Sequence, residues 1–294
     1  MFYPSFVHFF VLYYLIFHRI FRRALNNHVI IVLLLIGLVN ELTSVLWILH
    51  RYHFGSPLIR SPAFYLCSFF FDYAFFTTQV ILFAWASIER HILIFHIQWY
   101  STRRKLFFFH YLSIMVVVVY CMIYYTIITF GPFCRNTFAS FLAGGYIIPC
   151  VFKYKILATG ELLFHQIMPT LIIIICSLTL IVRVLQQKRR MNRPMVWRAH
   201  RKMTIQLVSI SVLYLVLNAP WVSVLFASQY GLSANLARIY TFYGLYLRMY
   251  IIFLYPFVCF ASSAELRGKF QSHFLSWTTS YRLVVHRNNS LELR

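Results

Sequence analysis

The chain has 294 residues, of which 61% are hydrophobic, 20% aromatic and 11% charged. Soluble domains carry about 25% charged residues, so a chain this apolar reads as an integral membrane protein. Its formal charge of +21 would suggest nucleic acid if the basic residues lined one soluble face; they cluster between apolar segments instead, so no nucleic acid is expected and the lipid bilayer is the expected partner.

Phe6 to Phe17 is the first apolar stretch, and it runs into Arg19, Arg22 and Arg23 with no small-residue cleavage site. From Met1 to His18 a helix reaches only about 27 Å, so this reads as a marginal first span or one whose outer end is missing. Val29 to Leu49 is the second, interrupted by Asn40-Glu41, and Ser61-Pro62 is a good start for a third over Ala63 to Phe95. Leu106 to Phe130 is an uncharged fourth, broken by Gly131-Pro132. A loop to about Gly160 leads to a fifth over Leu162 to Val182, with Pro169 inside. After the basic run 183–202, Met203 to Ser228 contains Pro220, and Ile239 to Phe260 contains Arg248 and Pro256. The fold class is therefore all-α: a seven-helix membrane bundle over 1–275, with a short amphipathic helix at Leu266-Arg267…Phe270 and a polar tail over 276–294.

Twenty of the 27 lysines and arginines fall on one side if the tail is inside. The positive-inside rule then puts the amino terminus out and the carboxyl terminus in the cytoplasm, with the plasma membrane as the expected location. The six cysteines have no C-x-x-C spacing and the twelve histidines no ligand pattern, so neither metal nor cofactor is expected. No cluster of His, Asp and Glu gathers at one leaflet, so the chain does not read as an enzyme.

Only six acids occur: Glu41, Asp72, Glu89, Glu161, Glu265 and Glu292. Acids inside apolar spans are costly and mark function. Asp72 precedes Arg90 by eighteen residues, about five turns, so the two share a stripe of the third segment with Gln79, Phe83 and Ala86. That stripe should face the bundle interior. Arg248 needs an acid partner within the membrane, with Asp72 favoured over Glu41. His165 lies one turn from Glu161 on the same face.

Glu89-Arg90-His91 at the inner end of the third segment resembles the Glu/Asp-Arg-Tyr motif of rhodopsin-like G-protein-coupled receptors. Asn218-Ala219-Pro220-Trp221 resembles that family's helix-six Cys-Trp-x-Pro, and Tyr255-Pro256-Phe257-Val258-Cys259 its helix-seven Asn-Pro-x-x-Tyr. The resemblance implies a receptor for an extracellular ligand, a cationic amine or a peptide, that signals to a heterotrimeric G protein through Glu89, Arg90 and His91, with Pro220 and Pro256 as hinges. It makes Asp72 an amine counter-ion, with Phe76, Glu161, His165, Trp221 and Tyr246 around the ligand. It also implies a disulfide from helix three to the second outer loop, here Cys67–Cys150, with Cys134–Cys150 the rival. Tyr255 and Cys259 depart from the family's asparagine and tyrosine, and helix two lacks its aspartate. The other reading is a seven-span transporter or channel, which should show internal repeats; none is visible.

Overall fold

A computed structural model describes residues 2–23, 25–54, 61–95, 102–132, 134, 150–190, 194–231, 233–263 and 266–268, and every regular element among them is helical. Helix α1 is Phe2–Phe17 and α2 the short Arg19–Arg23. Helix α3 runs Leu25–Asn40, widens through a π turn at Glu41–Val45, and ends with Leu46–Phe54. Helix α4 is Pro62–Phe95. Helix α5 joins Arg103–Leu106, a π turn at Phe107–Leu112 and Ser113–Phe130. After a 3-10 turn at Cys150–Lys153, helix α6 joins Lys155–Glu161, a π turn at Leu162–Ile167 and Met168–Arg190. Helices α7, Pro194–Gln229, and α8, Ala234–Ser262, complete the order.

Five segments are long and apolar enough to cross a membrane: Asn27–His50, Pro62–Leu93, Arg103–Phe130, Lys155–Arg183 and Val208–Gln229. Ser5–Phe17 and Tyr246–Ser262 are shorter apolar helices. The Ser61 hydroxyl accepts a hydrogen bond from the Phe64 amide at 3.2 Å, and Pro62 takes the first helical position, so α4 starts where the sequence predicts. Gly131 adopts an extended backbone and stops α5 as expected. The starts of α6 and α7 lie furthest ahead of the expected ones. Helix α6 begins at Lys155 and carries Gly160 within it, and α7 begins at Pro194 because its basic residues are good helix formers. The Leu266–Gly268 turn follows α8 with Leu266 buried and Arg267 exposed, while Glu265, Phe270 and the tail 276–294 lie outside the described residues.

Helix α4 sits at the centre, packed against α3, α5 and α6 and touching α7. Around it, α1 lies between α3 and α8, and α7 runs along α8 and meets α6. Helix α5 is peripheral: 17% of its apolar window is buried, against 61% for α3 and 56% for α4. The interior stripe of α4 is as expected, with Asp72, Gln79, Phe83, Ala86 and Arg90 all buried.

Two glycines permit close approaches. A Cβ on Gly244 would lie 3.1 Å from the Trp221 Cα, so only a bare backbone lets α8 seat against α7 there. On Gly37 a Cβ would come within 2.9 Å of Gln79 Nε2 and 3.2 Å of the His8 ring, whose polar groups therefore press onto α3.

The Cys67–Cys150 expectation is corrected. The disulfide joins Cys134 to Cys150, 16 residues apart, and Cys67 is free and half-buried near the start of α4. The loop leaving α5 returns as the Cys150–Lys153 turn, whose Cys150 and Val151 pack on Ile128 beside Tyr124, Cys134 and Phe152. That packing delivers Cys150 to Cys134, and the short loop costs little entropy to close. Peptide mapping under non-reducing conditions should recover Cys134 and Cys150 in one linked species, with Cys67 alkylated separately.

Candidate functional site: four buried acid–base clusters

Four acids lie among the described residues; all four are buried, and each has a base beside it. A carboxylate in hydrocarbon is too costly to leave uncompensated, so these contacts determine which helix faces turn inward.

The first cluster crosses the interior from α4 to α8. Arg248 Nη2 donates to Asp72 Oδ2, and both side chains are 1% exposed. The guanidinium carbon lies 4.2 Å from the Phe76 ring centre, 5.1 Å from Trp221 and 5.4 Å from Tyr73, an aromatic enclosure that suits a cation. Asp72 Oδ1 and Trp221 Nε1 are buried and have no hydrogen-bond partner among the described residues. Asp72, and not Glu41, is therefore the acid that Arg248 meets.

Glu41 is taken instead by α1. Its Oε2 lies 3.0 Å from His8 Nδ1, and its Oε1 accepts from the Ser5 hydroxyl at 2.7 Å. His8 Nε2 faces the Leu34 carbonyl at 3.0 Å. Each of the two imidazole contacts takes one proton, so His8 and Glu41 hold two protons between them and are neutral as a pair.

The third cluster lies at the Arg90 end. Glu89 is bonded to His110 Nδ1, whose Nε2 lies 3.0 Å from His28 Nδ1; His28 Nε2 meets the Arg22 carbonyl at 2.8 Å. Three contacts in series hold three protons over Glu89, His110 and His28, again a neutral unit. Arg90 is 3% exposed, so it does not reach out to solvent as an interface arginine would. Tyr255 and Cys259 of α8 lie near it, as does Glu89. His91 is half-buried.

The fourth cluster joins α5 to α6. Tyr124 donates to Glu161 Oε2 at 2.9 Å, and Tyr125 donates to Oε1. The Tyr125 hydroxyl also meets Thr77 of α4 at 2.8 Å, and the Tyr120 hydroxyl meets His165 Nε2 at 2.9 Å. His165 Nδ1 is 2.8 Å from Glu161 Oε2 but off the line of a hydrogen bond.

The residues expected around one ligand thus divide. Phe76 and Trp221 do enclose the Asp72–Arg248 pair, whereas Glu161 and His165 belong to the separate tyrosine-lined cluster. Tyr246 lies two positions from Arg248, about 200° round the helix, and is half-buried. Tyr73, His8, His28, His110, Tyr124 and Tyr125 also belong to these clusters, and the sequence pattern does not single them out. Each acid inside an apolar span needs a basic partner, and histidine is the only basic residue in α1 and in the Phe107–Phe130 part of α5.

Three of the clusters use a π turn. Glu41 opens one, His110 lies in the second and His165 in the third. A π turn inserts one residue and rotates the side chains that follow, and such turns occur frequently at functional sites. Pro220 lies inside α7 and Pro256 inside α8, the latter beside Tyr255, which packs edge-on to Phe83 at 5.2 Å.

No protein-family model matches the chain, and no match emerged from the curated proteins compared with it. The site must be read from its own chemistry.

Glu89 and His110 are both buried, so His110→Phe should cost about 3–5 kcal/mol by stranding the carboxylate. His28→Phe removes only the outer link and should cost about 1 kcal/mol. Thermal unfolding of the two variants in one detergent separates these outcomes.

Proposed function

We propose that the chain is a rhodopsin-like G-protein-coupled receptor: a seven-helix bundle in the plasma membrane, amino terminus outside, that takes its ligand at the Asp72 end and engages a heterotrimeric G protein at the Arg90 end. The observation that carries this reading is the burial of Glu89-Arg90 against neighbouring helices, with the acid held by His110 and the arginine beside the Pro256 segment of α8. An arginine present only to anchor a helix end would extend toward water. One held inside, at the end of a helix whose other half carries a second buried ion pair, is placed to respond when the helices shift.

Pro220 and Pro256 each weaken one helical turn and supply the hinges that such a shift uses. In this reading the neutral Glu89–His110–His28 chain ties Glu89 of α4 to α5, and activation releases Arg90 toward the G protein. The five long apolar segments and the two shorter ones supply the spans.

Nucleotide exchange on a panel of purified G proteins, with the receptor in nanodiscs, tests it. The wild-type chain should accelerate exchange on at least one G protein, and Arg90→Ala should lower that rate by about tenfold or more at equal receptor concentration. Equal exchange by both would remove Arg90 from the mechanism. Solute or ion flux in proteoliposomes with no exchange would favour the transporter or channel reading.

A further inference from the structure

The Asp72–Arg248 cluster carries both signs of charge on one buried contact, and this bears on what it can bind. We propose that its ligand is a small zwitterion, an α-amino-acid-like molecule with an apolar or aromatic body, whose ammonium takes Asp72 and whose carboxylate takes Arg248. The proposal rests on the receptor reading only in treating this cluster as the ligand site. It departs from that reading's cationic amine.

Charge is the first constraint. Asp72 and Arg248 are each 1% exposed and neutralise one another. An amine that claimed Asp72 would strand Arg248 as a buried cation, and an anion that claimed Arg248 would strand Asp72. Either loss costs about a hundredfold or more in affinity, because the abandoned group cannot reach water. A ligand carrying both charged groups on one carbon replaces both halves of the contact at once and leaves no charge uncompensated.

The second is the polar atoms that the resting contact leaves over. Asp72 Oδ1 is a buried acceptor and Trp221 Nε1 a buried donor, and neither has a hydrogen-bond partner among the described residues. An ammonium has three donors, enough for both Asp72 oxygens, and a carboxylate has acceptor capacity for an indole N–H as well as a guanidinium. An ammonium on Asp72 Oδ1 and a carboxylate on Trp221 Nε1 would be the two ends of the same ligand.

The third is the enclosure. Tyr73, Phe76 and Trp221 surround the guanidinium at 5.4, 4.2 and 5.1 Å. Their faces stabilise a cation and their edges pack an apolar body, so an aromatic side chain on the ligand is favoured. Gly244 lets α8 lie against Trp221 one turn before Arg248, so a ligand that parts the pair also loads the α7–α8 contact.

Three probes with one scaffold separate the charge classes: phenylalanine, phenethylamine and 3-phenylpropionate. The full chain is placed in phosphatidylglycerol nanodiscs, which carry no zwitterionic headgroup, and thermal unfolding is followed with each probe at millimolar concentration. Phenylalanine alone should raise the wild-type midpoint, by about 2–4 °C. Arg248→Gln should respond to phenethylamine alone, and Asp72→Asn to 3-phenylpropionate alone. The double variant, which buries no charge at this site and so serves as the folding control, should respond to none. A wild-type chain stabilised by phenethylamine or 3-phenylpropionate, or by none of the three, overturns the proposal, whether or not the single variants fold. That result is independent of G-protein exchange, which judges the receptor reading by itself.

Discussion

A charge buried in hydrocarbon must meet its opposite, and in this protein that requirement ties the helices together. Asp72–Arg248 joins α4 to α8, Glu89–His110 joins α4 to α5, Glu41–His8 joins α3 to α1, and Tyr124 and Tyr125 reach Glu161 from α5 to α6. Between lipid-facing helices there is little hydrophobic preference for one partner over another, since lipid tails are as apolar as leucine. Polar contacts of this kind discriminate. They select the rotation of each helix, and the apolar cluster of Val11, Leu33, Phe83, Tyr214 and Tyr255 packs to suit.

The π turns connect backbone to chemistry. Without the extra residue at 41–45, 107–112 or 162–167, the side chains that follow would be rotated away from their present partners. Three separate helices show the same local irregularity, each time at a residue of an acid–base cluster. The irregularity is thus tied to polar matching. Asp72 and Arg248 stand apart, on regular stretches of α4 and α8, where the length of the arginine covers the distance between two helices that are not close-packed neighbours.

Much of this was legible in the sequence. Apolar runs and their Pro and Gly boundaries located the helices, and the eighteen-residue spacing put Asp72 and Arg90 on one buried stripe. The cost of an unpaired Arg248 pointed to Asp72 through charge arithmetic alone. The π turns were not legible, because no residue type marks them and they follow from tertiary contacts. Glu161 and His165 share a helix face as predicted, but their distance from Arg248 depends on the rotation of α6, which spacing within α6 does not determine. The disulfide was misassigned because the resemblance specified a helix-three cysteine, whereas the actual bond follows from the Cys150 turn packing on Ile128.

The central claim is that Asp72 and Arg248 hold α4 and α8 together as one neutral unit. A double-mutant cycle on unfolding free energy measures that directly, with Asp72→Asn, Arg248→Gln and the two combined. Each single variant strands a buried charge and should cost about 3–5 kcal/mol, while the combined variant should cost less than either. Costs that simply add would mean that the two side chains act independently, and the account would fail.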